Sequence, residues 1–134
     1  MGFFKKLISN TKDCNRIANA VGNVKTLLDD IEYNSVTDLE TFLIVAWVCR
    51  VGIIDVMEKS NWPMTYQVFV PINGHHMKMT YQEAYMMSVG RLSIKVGELG
   101  NNEIKDAVLD VLEKGEWFYK IDQIVPESKK ALFR

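Results

Sequence analysis

Cysteine, histidine, proline and net charge are all scarce in this chain of 134 residues, which carries two Cys, two His, three Pro and a formal charge of -1. Cys14 and Cys49 form no CxxC pair, which argues against a disulfide framework or a zinc ribbon. Both fall in apolar helical patterns, where a free thiol behaves as a small hydrophobe. That usage suits a reducing compartment, so a cytoplasmic protein is expected. Near balance of 16 basic and 17 acidic residues removes the electrostatic footprint of a dedicated nucleic-acid binder. Long apolar runs are missing as well. The longest near the chain centre, Phe42 to Cys49, falls short of the roughly 20 residues that a membrane span needs. There is no GxGxxG, P-loop, HExxH or GxSxG motif, so no catalytic residue is assigned and the balance leans away from an enzyme without deciding it.

What is present is the composition of one globular domain, residues 1–134, with 48% hydrophobic and 25% charged residues. A chain of this length can bury a core without metal or disulfide staples. The expected fold is mainly α, of the α+β kind. It is a small helical bundle around a buried central helix at about 37–59, with one β-hairpin at about 66–79. The first clear helix, about 13–33, places Cys14, Ile17, Val21, Val24, Leu28 and Ile31 on one stripe. Gly22 within it offers a close helix crossing. Thr37-Asp38-Leu39-Glu40 reads as a capping box, and the helix after it is apolar all round except Arg50, Gly52 and Asp55, as a central helix should be. Arg50 and Asp55 stand about 500° apart on an α-helix and so on different faces, while Asp55 and Lys59 can pair at i,i+4. A second capping box, Thr80 to Glu83, opens a helix to about Leu99, which Gly97 or Gly100 ends. Asn101 or Asn102 caps a helix over 103–114, with Gly115 as its C-cap. The tail, from Trp117-Phe118-Tyr119 to a final turn at Pro126, is apolar enough to pack back on the core.

The most unusual stretch is Ser60 to Met77, in which no Asp, Glu, Lys or Arg occurs. All six internal Met residues lie between Met57 and Met87. Trp62-Pro63 breaks the preceding helix. Tyr66 to Val70 has strand composition, and Pro71-Ile72-Asn73-Gly74 is turn chemistry. Sheet edges are usually guarded by charge, and here only Lys78 is available. The hairpin is therefore either covered by the protein's own helices or meets another chain, a use for which adaptable Met side chains suit it.

The leading expectation is a non-catalytic protein-binding module, of regulator, adaptor or toxin-neutralising type. Its hairpin would contact a partner protein or a second copy, as in a homodimer, through Tyr66, Phe69, Ile72, His76 and Met77. One alternative is a peripheral membrane protein. Its anchor would be the amphipathic segment 1–10, where Phe3 and Phe4 stand beside Lys5 and Lys6 in the manner of an interfacial helix. Another is a small enzyme or small-molecule binder with a pocket near Arg50, His75 and Tyr81. His75, Met77 and Met79 would share one strand face, but adjacent His75 and His76 point apart, and no metal or cofactor is expected.

Overall fold

The computed structural model describes the backbone of residues 2–72 and 75–124, and the side chains of residues 12–69, 75, 77–121 and 123. Among the described residues it is a mainly helical α+β fold of five helices and one hairpin. Helix α1 spans Gly2–Tyr33. It starts earlier than the apolar stripe suggests, because no proline or internal glycine interrupts residues 3–21. Helix α2 occupies residues 39–60, as α-helix over Leu39–Cys49, a π turn over Arg50–Ile54 and α-helix again over Asp55–Ser60. Strands β1 (Gln67–Ile72) and β2 (His75–Thr80) form an antiparallel pair. Helix α3 covers residues 81–99, with a second π turn at Met86–Gly90. Helices α4 (Asn102–Leu112) and α5 (Glu116–Ile124) complete the described chain.

The central position of α2 follows from its sequence. Every residue from Phe42 to Cys49 is buried, which is the outcome for a helix with no polar face. It packs on α1, α3, α4 and α5. Its N-cap is Asp38 rather than Thr37: the Asp38 carboxylate accepts from the Thr41 amide at 2.9 Å and from the Thr41 hydroxyl at 2.7 Å. A carboxylate at this position also complements the helix dipole. At its other end Asn61 takes the left-handed conformation, φ 51°, and closes the helix before Trp62-Pro63.

The close helix crossing is not at Gly22, which has open space where a Cβ would stand. It is at Gly52, in the π turn of α2, where a Cβ would come within 2.5 Å of the Ala20 Cβ on α1. The Thr80 capping box forms with both reciprocal bonds. Gly100, at φ 68°, ends α3. Asn101 caps α4 by accepting from the Ile104 amide at 3.2 Å.

The turn after α4 differs from the expected glycine C-cap. Lys114 takes the left-handed conformation, φ 57°, and Gly115 leaves room for Asp110. The Asp110 carboxylate accepts from the Trp117 amide at 2.6 Å, so it secures the start of α5. Ile121 of α5 is fully buried and Trp117 and Phe118 are half-buried, so this aromatic segment does pack on the core. The turn expected at Pro126 lies outside the described residues.

Candidate functional site

The hairpin is tied to the bundle at its base. Val68 and Met79 face each other across the two strands and are both buried. The Tyr81 amide donates to the Tyr66 carbonyl at 2.6 Å, and the Gln82 amide to the Met64 carbonyl at 3.0 Å. Trp62 stacks on Tyr66 at 4.2 Å between ring centroids and meets Tyr81 edge-on at 6.3 Å. The Tyr66 side chain also bonds Cys14 of α1, and partial burial pushes both the phenol and the thiol up. Strand β1 packs on α1.

Beyond that base the described side chains of the hairpin are exposed. Phe69, paired with Lys78, is 59% exposed, and Met77, paired with Val70, is 50% exposed. Lys78 and His75 are exposed too. Met64, Met86 and Met87, from the same Met-rich stretch, add further exposed surface. Among the described residues the sheet has two strands, so each strand keeps one edge without a sheet neighbour. Of the five residues expected at an interface, Phe69 and Met77 are exposed, on opposite faces of the hairpin by its register, while Tyr66 is half-buried against Trp62. The side chains of Ile72 and His76 lie outside the described residues, as do those of Phe3, Phe4, Lys5 and Lys6.

Of the residues expected around a small-molecule pocket, Arg50 and Tyr81 make contacts within the fold. Arg50 has a side chain only 12% exposed, and it faces Asp55 at 3.0 Å through Nε and Glu58 at 3.1 Å through Nη2. Its Nη1 donates to the Leu112 carbonyl at the end of α4, also at 3.1 Å. Arg50 and Asp55 do meet, contrary to the α-helical reading, because the π turn adds one residue and brings i and i+5 into line. The Asp55 amide bonds the Arg50 carbonyl, as that geometry requires. Asp55 also pairs with Lys114 at 3.1 Å rather than with Lys59. Tyr81 is fully buried, and its hydroxyl donates to the Ile53 carbonyl at 2.5 Å in the same π turn. Burial pushes the Tyr81 phenol up and holds it neutral. His75 lies apart on β2.

Other chemistry is thinly supplied. Cys49 is buried, which pushes its thiol far up and leaves no reactive thiolate. Both cysteines are free. Among the described residues no group of three or more His, Cys, Asp or Glu is placed to hold a metal ion. No described helix is long and apolar enough to cross a membrane.

Two surface features escaped sequence reasoning. A groove of about 240 Å³ lies between the ends of α1 and α3, floored by Ile31, Phe42 and Leu99 and rimmed by Glu32, Lys95 and Glu98. A second, open groove of about 470 Å³ runs past Lys12, Asn15, Arg16 and Asn19 of α1. These four residues recur at helical spacing in the sequence, where the buried stripe on the other side of α1 is the stronger pattern. Comparison with protein-family models, with curated proteins and with solved structures finds no match.

Proposed function

We propose that this protein is a non-catalytic binding module whose hairpin contacts a partner protein or a second copy of the chain. One observation carries the reading. Phe69 and Met77 are large apolar side chains held half or more in solvent, on strands whose base is locked into the core and whose segment from Ser60 to Met77 has no charge. Interfaces place such groups at their centre, with polar groups such as His75 at the rim. By the register Phe69 shares its face with Lys78 and Met77 shares the other with His75, so each face of the hairpin offers one apolar group beside a polar neighbour. The protonated thiols and the absence of a paired disulfide fit work in a reducing compartment, the cytoplasm.

The test is the solution mass by light scattering, and binding to whatever protein co-purifies, for the native chain and for Phe69→Asp with Met77→Asp. The reading expects a higher-mass species or a bound partner that the double variant loses while its helical circular dichroism stays intact. A monomer with no partner, or unaltered association in the double variant, contradicts it.

A further inference from the structure

The hydrogen-bond phase of the hairpin determines which backbone groups its outer strand leaves open. Partners across β1 and β2 run Gln67–Thr80, Val68–Met79, Phe69–Lys78, Val70–Met77 and Pro71–His76. In an antiparallel ladder, pairs that exchange both N–H···O=C bonds alternate with pairs that exchange none. Tyr81, next in the same register, donates its amide to the Tyr66 carbonyl. The Thr80 amide donates to the Glu83 carboxylate at 3.2 Å, and Pro71 has no N–H to offer His76. Val68–Met79 and Val70–Met77 are therefore the bonded pairs, and the backbone groups of His76 and Lys78 point away from β1. The two edges of the sheet are not equal. Strand β1 packs on α1 and carries Pro71 at an outward position, where proline guards an edge. Strand β2 meets α3, the helix that follows it directly, and among the described residues β1 is its one sheet neighbour. Between the open backbone groups of His76 and Lys78 stands Met77, 50% exposed.

Resting on the reading of the hairpin as a contact surface, we propose that its partner is a second copy of the chain. The two join β2 to β2, antiparallel, about a two-fold axis through Met77. Such an axis sets His76 of each copy opposite Lys78 of the other, so their open N–H and C=O groups bond each other. The sheet then runs continuously as β1–β2–β2–β1. The argument for this occupant is that the edge is complementary to itself. An isologous contact needs one patch to satisfy its own donors and acceptors, and the open groups on either side of Met77 do so. Met77 falls at a close, non-hydrogen-bonded pair, where Cα atoms stand about 4.5 Å apart. Two exposed Met side chains cover each other there and adapt in shape. Charge selects the register. An axis through Lys78 sets like charges directly opposite and needs the Thr80 amide, which Glu83 already holds. An axis through His76 shortens the overlap to residues 75–77. With Met77 at the axis the two Lys78 side chains lie diagonally apart, and β2 has no other Asp, Glu, Lys or Arg. The hairpin bases, at Val68 and Met79, then lie at opposite ends of the shared sheet, which keeps the two bundles apart.

The test is the solution mass of the full chain by light scattering, joined to disulfide mapping under mild oxidation. The native chain should be a dimer. Met77→Cys should give a disulfide-linked dimer, because two thiols at the axis stand within disulfide reach. Phe69→Cys, on the inner strand and the other face, should behave as the native chain, whose free Cys14 and Cys49 set the background. Lys78→Pro removes an outward N–H, as edge prolines do. Symmetry counts that loss twice, so association should weaken by about tenfold or more with helical circular dichroism unchanged. Should this variant lose its helical signal, the Met77→Cys crosslink decides alone. A monomeric native chain, crosslinking no faster in Met77→Cys than in Phe69→Cys, or full association by folded Lys78→Pro overturns the proposal. A monomeric native chain that holds another protein, lost with Phe69→Asp and Met77→Asp, overturns the second copy but keeps the hairpin as a contact surface. A monomer with no partner contradicts both.

Discussion

The bundle and the hairpin treat the same kinds of side chain in opposite ways. In the bundle, Phe42 is 1% exposed at the centre of the core. Even its charged intruder, Arg50, is matched by Asp55, Glu58 and the Leu112 carbonyl. In the hairpin, Phe69 is 59% exposed and its cross-strand neighbour is a lysine. The contrast teaches that the hairpin is not an unfinished piece of core. Its core contribution is Val68 and Met79, and its described side chains at Gln67, Phe69, His75, Met77 and Lys78 are exposed.

The largest effect that sharpens this contrast comes from truncating the two phenylalanines. Phe42→Ala should cost about 3–5 kcal/mol in urea unfolding, the range for deleting a buried aromatic side chain. Phe69→Ala should stay within about 0.5 kcal/mol, as an exposed substitution does. Next is Arg50→Ala. It leaves the Leu112 carbonyl and two carboxylates without their shared partner, and should cost about 2–3 kcal/mol by the same measurement. Gly52→Ala should cost about 1–3 kcal/mol, because the new Cβ meets Ala20 and forces α1 and α2 apart.

The smallest effect concerns pH. Hydrogen bonds from Lys25, then from Arg91, hold the Asp29 carboxyl below its ordinary 3.8. A depressed carboxyl stabilises the fold above the unfolded value and loses that contribution as pH falls through the folded one. Asp29→Asn should therefore cost less than about 1 kcal/mol at neutral pH and make the loss of stability below pH 3.8 shallower in an acid titration followed by circular dichroism.

Much of the fold was legible because it rests on local chemistry. The apolar run from Phe42 to Cys49 announced a central helix, the Thr80 to Glu83 box announced the start of α3, and the charge gap with strand-forming residues announced the hairpin. The two π turns were not legible. At 100° per residue, Arg50 and Asp55 fall on different faces, and only the inserted residue aligns them. The signal available was an opposite-charge pair at i and i+5 around a glycine in an otherwise apolar helix. The candidate site was half legible for a similar reason. Absence of charge marked the segment, but it could not say that Tyr66 would stack on Trp62 while Phe69 faced solvent, since alternation fixes faces only once the register is known.

The separation of hairpin surface from bundle core is tested most directly by urea unfolding of the chain carrying Phe69→Asp and Met77→Asp. Two new charges on solvent-facing positions should leave the helical signal intact and the unfolding free energy within about 1 kcal/mol of the native chain. A loss of more than about 3 kcal/mol, the scale of burying unpaired charge, would place the hairpin in the core and contradict the account.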